Sequence, residues 1–449
     1  MSFVRSSPEF SPRSSVTPVE SHSSRNRHPR TGGDPVSSAL LGEAIMDSVS
    51  SVRDSLPEQH RAHFETLRHE IIDFTKVHGI FKDTLSKPSA LREAAGKLST
   101  PDLKRLADLL ERFEYLLKNG EPKKEKLPKH LQEIERLYNL REQYNFQVEL
   151  LEEAGILKEG AILGIDGKIY PIPTLEQIAI RLFERREELK TKHDQGFTKL
   201  LLVPFGMSLD TLRETLKQFL IKYKESHSSF GLDTSIPLWT WPRYQGADTG
   251  DSPNLVYYPQ SFTREGHGGK TKMEILKEQA QGRWTPAFAG VAGEKGEGTP
   301  GWTVHLLQPS DPSNPHSPGF SSIPREGQGT PQGDLVPRPP LETGKSPIEY
   351  LSILQKAQGD KDSSYHGETG MTPEDWIMAF MIHLSETGKP LDNWQNNKES
   401  ISCLAGVFFP LSIPTSNACW GRFERQACLS RSSLRDDDKN AGARSSVII

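Results

Sequence analysis

Three cysteines, fourteen histidines and two Gly-Lys-Thr/Ser tripeptides are where this chain could do chemistry. A phosphate-binding loop needs a glycine five residues before Gly-Lys-Thr, so that successive backbone N–H groups can wrap the phosphates. In "REGHGGKTK" Arg264 holds that position ahead of Gly269, Lys270 and Thr271; Pro339 holds it ahead of Gly344, Lys345 and Ser346. Both stretches read as loop glycines beside exposed lysines. His366 and His383 have no second His or Cys at metal-ligand spacing, so no metal site is expected. A cysteine nucleophile needs a base close to it in space. Cys403, within apolar "SISCLAGVFF", reads as core, while Cys419 and Cys428 fall in an irregular ending. The sequence holds no paired-carboxylate motif and no aromatic-basic signature of nucleic-acid binding. The residues alone therefore point to no enzyme class, no cofactor and no nucleic-acid partner.

The elements that must position these residues differ along the chain. Its 449 residues are 34% hydrophobic and 25% charged, with a formal net charge of −4, which gives room for two or three domains and no general bias toward polyanions. An odd, sparse set of cysteines fits a reducing compartment better than a disulfide scaffold. The start, "MSFVRSSPEF", has no apolar stretch of signal-peptide length, and no apolar run approaches the ~20 residues needed to span a bilayer. A cytoplasmic protein is the expectation. Residues 1–38, rich in Ser, Pro and Arg, read as a disordered tail.

From 39 to 195 the pattern is helical. In "STPDLKRLADLLERFEYLLKNG", Thr100 is the expected N-cap, Leu103, Leu106, Leu110, Phe113 and Leu117 recur at helical steps, and Gly120 is the stop. Leu131, Ile134, Leu137, Leu140, Tyr144 and Val148 suggest one long amphipathic helix, which could pair as a coiled-coil hairpin or self-associate. Asp166-Gly167 between apolar flanks signals a hairpin. Thr174 caps a further helix, through Ile178, Leu182 and Leu189. The character changes at 196–449. Leu200 to Val203 read as a buried strand and Ser208 opens a helix with Leu212, Leu216, Phe219 and Leu220 on one face. "PLWTW", "LVYYP" and "WTVHLL" are strand-like, and Thr372, Pro373 and Gly388 bracket an apolar helix. Residues 308–345 form a long Pro/Gly-rich connection. The fold class is thus α+β, with mixed short strands and a few helices in the C-terminal part.

The chain ends "CWGRFERQACLSRSSLRDDDKNAGARSSVII", with no helical period and little strand alternation before its last residues. Ala427 and Leu429 alternate with polar neighbours, as in a half-buried strand, and Val447 to Ile449 suit a closing strand. Together with "GFTKLLLVPFGMSL", "PLWTW", "LVYYPQSF", "MTPEDW", "HLSETG", "DNWQNN", "CLAGVFFP" and "GARSSV", this ending resembles the variable proteins of diversity-generating retroelements from small bacteria. The resemblance runs from Lys199 to Ile449. It implies a C-type-lectin-like fold of the formylglycine-generating-enzyme kind, whose last segment is rewritten by error-prone reverse transcription and binds a ligand. Segment 419–442 would be the variable one.

In that family's pattern Trp420, Arg422, Arg425, Ala427, Leu429, Gly442 and Arg444 would be scaffold. Cys419, Gly421, Phe423, Cys428, Ser430, Arg431, Ser432, Ser433, Asp436, Asp437, Asp438 and Asn440 would form the variable ligand face. Phe423, Ser430, Arg431, Ser432, Asp436, Asp437 and Asp438 should then point to solvent on one contiguous face. Adenine-directed change of a pyrimidine-ending Asn codon yields the types in the variable set, but not Glu424, Gln426 or Lys439; Leu434 also departs from the pattern. The ligand would be a protein or another macromolecule. The alternatives are an enzyme on a formylglycine-generating-enzyme-like fold, which would need a cysteine pair, and an assembly protein acting through its N-terminal helices.

Residues 283–300, "RWTPAFAGVAGEKGEGTP", resemble the translated form of a palindromic repeat common in bacterial genomes. The stretch is Gly-rich and lacks an apolar period. Its deletion is expected to leave the thermal midpoint nearly unchanged in a melting experiment; loss of soluble expression would show that it packs.

Overall fold

The computed structural model describes residues 53, 55–80, 96, 98–120, 127–282, 299–327, 341–394, 399–412, 414–421, 423–435 and 437–449. The expected tail, Arg422, Asp436 and all but Thr299 and Pro300 of the expected insertion lie outside them. The described chain is α+β. Among its residues no helix is long and apolar enough to cross a membrane.

Helices α1 (Glu58–Val77) and α2 (Thr100–Asn119) share a small core of their own. Phe64, Leu67 and Ile71 are buried with Leu106, Leu109, Phe113 and Leu116, and the Phe64 and Phe113 rings lie 5.1 Å apart. The cap of α2 is Ser99, one residue before the expected Thr100: its Oγ accepts the Asp102 N–H. Gly120 ends α2 at φ 72, as expected of a left-handed stop. Leu103, expected in the apolar stripe, is exposed.

The expected long helix is two, α3 (Gln132–Leu137) and α4 (Leu140–Glu153). Asn139 stands between them at φ 46, a conformation Asn tolerates better than most residues. The break turns α4 along strand β3 (Lys199–Val203). Between them in sequence lie the hairpin β1 (Ala161–Leu163) and β2 (Ile169–Pro171), turned by Gly167 at φ 74, and helices α5 (Leu175–Glu184) and α6 (Arg186–Asp194). Gln143 and Gln147, one turn apart on α4, replace a missing neighbour strand. The Gln143 amide donates to Thr198 O (3.0 Å) and accepts from Leu200 N (2.8 Å); that of Gln147 donates to Leu200 O (2.7 Å) and accepts from Leu202 N (2.8 Å). An edge strand's orphan groups are thereby satisfied and hidden. One apolar core accordingly runs from Leu127 to Ile449, across the sequence change at 195.

Then follow α7 (Leu209–Ser226), β4 (Leu238–Thr240), β5 (Val256–Tyr257), α8 (Lys272–Ala280), β6 (Thr303–Leu307), α9 (Pro347–Gln358), β7 (Glu368–Gly370), α10 (Pro373–Thr387), β8 (Ile401–Cys403), β9 (Val407–Phe408), β10 (Thr415–Trp420), β11 (Ala427–Ser432), β12 (Ala441–Ala443) and β13 (Ser445–Ile448). One sheet has the order β3-β6-β13-β7, so the C-terminal strand is inserted between two others. Val447 and Ile448 are buried in it. A second sheet has the order β12-β8-β10-β11-β4. Helix α10, buried on nearly all sides, packs on β3, α7 and β10.

Charged groups sit inside this core and are paired there. Lys272 Nζ lies 2.5 Å from Asp248, 2.9 Å from Glu374 and 2.7 Å from Met207 O, and Tyr257 donates to Glu374. A buried ammonium with three acceptors ties α8 to α10 and to the loops that carry Met207 and Asp248. Nearby, Asp375 caps α10 through the Thr372 N–H, and its other oxygen lies 3.3 Å from His305 Nε2. Burial pushes the Asp375 carboxyl up to about 8 and the His305 imidazole down to about 3. The contact is therefore a neutral acid beside a neutral imidazole. Between about pH 4 and 8 the native chain holds this proton while the unfolded chain has lost it, so its contribution to stability falls as pH rises through that window. Buried neutral His305 contributes the opposite slope below about pH 6.5, so Asp375→Asn, which mimics the neutral acid, is expected to gain stability relative to the parent as pH rises from about 4 to 8 in urea titrations. Equal slopes in variant and parent would show that Asp375 does not titrate there.

Candidate functional site

The segment singled out in the sequence is built on one antiparallel pair. Strands β10 and β11 match Trp420 with Ala427, Cys419 with Cys428, Ala418 with Leu429 and Asn417 with Ser430. Strand β4 adds in parallel, placing Leu238 beside Ala427 and Trp239 beside Cys428. Because side chains alternate along a strand, each matched set shares a face. Ala418, Trp420, Ala427, Leu429 and Leu238 are buried on the core side. The Trp420 ring lies 5.2 Å from that of Phe230 and 6.0 Å from that of Phe380 on α10. The opposite face carries Cys419, Asn417, Cys428, Ser430, Ser432 and Trp239. Cys428, Ser430 and Ser432 are half-buried, and Trp239 is 39% exposed.

Of the other expected face residues, Phe423 at the hairpin tip is 78% exposed, and Ser433 and Asp437 are exposed. Asp438 and Asn440 are half-buried, because the loop is clamped. Arg325 Nη1 donates to Asn440 Oδ1 (2.9 Å) and Lys439 O, and Gly344 N donates to Asp438 O (3.1 Å). Tyr350 Oη reaches Ala441 O (3.1 Å). The Pro/Gly-rich connection thus supplies part of the loop's support.

Several assignments need correction. Cys419 and Gly421, expected on the variable face, are buried: Cys419 packs with Ile401 and Ala441, and Gly421 closes the strand pair through its N–H to Gln426 O (2.8 Å). Arg425, expected as scaffold, is exposed at φ 53, and its carbonyl accepts from Asp233 N (2.9 Å). Arg431 does not share a face with Ser430 and Ser432. The period of two sends it to the other side, where its guanidinium lies 5.6 Å from the Trp241 ring centroid. The solvent-facing set is therefore not one contiguous strand face. Of the residues that break the codon rule, Gln426 is buried, whereas Glu424 and Lys439 are exposed.

Other scaffold positions have clear physical reasons. A Cβ on Gly442 would strike the Ile323 side chain. Arg444 is buried, donating to Ser321 O and, at 2.6 Å, to Asp392. Asp392 accepts in turn from Trp376 Nε1 (2.9 Å), and its carbonyl accepts the Trp420 N–H (3.0 Å). Asp392, Arg325 and Trp239 carry no local signal of these roles in the sequence. "DNWQNN" and "PLWTW" were visible as stretches, but no spacing marks an Asp that ties distant segments or says which Trp faces out.

Among the described residues no group of three or more His, Cys, Asp and Glu side chains could hold a metal ion. Cys403 is buried, and burial pushes its thiol up to about 12.

Leu429→Ala is expected to cost ~2–5 kcal/mol in denaturant unfolding, the usual range for a filled core site. Phe423→Ala and Ser433→Ala should stay within about 0.5 kcal/mol of the parent. Comparable losses at all three would mean that Phe423 and Ser433 pack in solution.

Compared with known proteins, the chain matches no family model, no curated sequence and no solved structure.

Proposed function

We propose that the chain is a ligand-binding protein, and that residues 419–442 form a diversified recognition surface on a C-type-lectin-like domain. The observation that carries this reading is the division of labour within the segment. Trp420, Ala427, Leu429, Gly442 and Arg444 are buried and hold the fold, while Phe423, Ser430, Arg431, Ser432, Ser433 and Asp437 are exposed or half-buried. Positions of the second kind can be rewritten without the ~2–5 kcal/mol that core changes commonly cost. Both ends of the segment are fixed, because Trp420 and Arg444 meet at Asp392. Recognition would use Phe423 and Trp239 as aromatic anchors, with hydroxyls and charges around them. The ligand is then a protein or another macromolecule, met by a sheet face and a loop.

Two measurements test this. A library randomised at Phe423, Ser430, Arg431, Ser432, Ser433 and Asp437 should yield mostly protease-resistant protein. One randomised at Trp420, Ala427, Leu429, Gly442 and Arg444 should yield little. The genomic locus should also carry a reverse transcriptase gene and a near-copy of the codons for 419–442, mismatched mainly at adenines. Equal intolerance in both libraries, with neither genetic element present, would leave an ordinary closing strand pair.

A further inference from the structure

Cys419 and Cys428 lie nine positions apart in sequence and directly opposite each other across β10 and β11. The hydrogen bonds set the kind of pair they form. Gly421 N donates to Gln426 O, whereas Trp420 N and Ala427 N turn away to Asp392 and Pro237. Alternation then makes 419/428 a hydrogen-bonded pair, with Cα atoms about 5.5 Å apart in such geometry. That separation falls inside the ~4.4–6.8 Å a disulfide spans. Both cysteines are free thiols; Cys419 is buried and Cys428 half-buried. Access is therefore unequal.

We propose that Cys419 and Cys428 form a dithiol site that reacts with low-molecular-weight disulfides of the glutathione class and closes to an intrachain disulfide. Cys428, the more accessible, attacks first. Its thiolate bonds to one sulfur of the small disulfide, that S–S bond breaks, and one small thiolate leaves. Cys419 then attacks the Cys428 sulfur, the mixed S–S bond breaks, and the second small thiolate leaves. The two thiol protons pass to the departing thiolates, so the protein gives up two electrons and the small disulfide becomes two thiols. The ionisation of the two thiols is ordered in the same sense. The neighbouring Cys419 thiol, hydrogen-bonded to Cys428, lowers the Cys428 value, and the Cys428 thiol followed by burial raises that of Cys419. Closure would tie the strands at the base of the tip that carries Phe423. Its bearing on ligand binding rests on the recognition reading above; the thiol chemistry does not.

The test uses the reduced full-length chain, incubated with oxidised glutathione, alkylated after denaturation and analysed by intact and peptide mass spectrometry. Two of the three cysteines should become protected, with the peptides of Cys419 and Cys428 joined. Cys419→Ser should instead accumulate a stable glutathione adduct on Cys428, and Cys428→Ser should leave Cys419 as a free thiol. Three alkylatable thiols in the parent, a link to Cys403, or a persistent adduct in the parent would each overturn the proposal.

Discussion

Asp392 is the point on which the C-terminal half depends. It is a buried carboxylate held at φ 52, and three distant parts of the chain meet on it. The Trp376 indole comes from the central helix, the Arg444 guanidinium from just before the last strand, and the Trp420 N–H from the end of β10. A buried ion pair of this kind is weak evidence of net stabilisation, yet removing one partner typically costs ~3–5 kcal/mol, because the other charge stays buried. The knot thus fixes position more than it adds stability. It sets where β10 stops and where β13 begins, and the tip at 421–426 and the loop at 433–440 lie between those points beside the strands β11 and β12.

The same logic runs through the core beneath. Lys272 on α8 draws α10 and two loops together through Glu374, Asp248 and the Met207 carbonyl, and Gln143 and Gln147 finish the edge of β3. Each device satisfies groups that would be costly to bury alone. Together they make a sheet-and-helix body whose buried core does not include Phe423, Ser433 or Asp437. A surface outside the core is the physical precondition for the recognition role proposed here. The clamp of Arg325, Gly344 and Tyr350 on 438–441 supports the far end of the loop in the same way.

Local features were legible in the sequence wherever one residue type does a local job. Thr174, Ser208 and Thr372 cap helices, Gly120 and Gly388 end them, Gly167 turns a hairpin, and the apolar run at 200–203 is a buried strand. Ala427 and Leu429 announced a core-facing strand through their alternation alone. These outcomes follow from backbone geometry and periodicity, which act over a few residues.

Tertiary structure decided the rest. The helical pattern continued through Asn139, but α4 had to turn to cover β3, and the chain breaks there. Cys419 has the composition of a variable position, yet it is buried because Ile401 and Ala441 arrive from strands that no local pattern joins to it. Arg425 and Arg431 are of one type in one segment; a positive-φ turn exposes the first, and strand parity sends the second over Trp241. Sequence specified which residues prefer helix, strand, cap or turn, because those preferences are local. Which face is covered, which carboxylate meets which cation and which thiols stand opposite depend on register and on segments far apart in sequence, so only the assembled fold determined them.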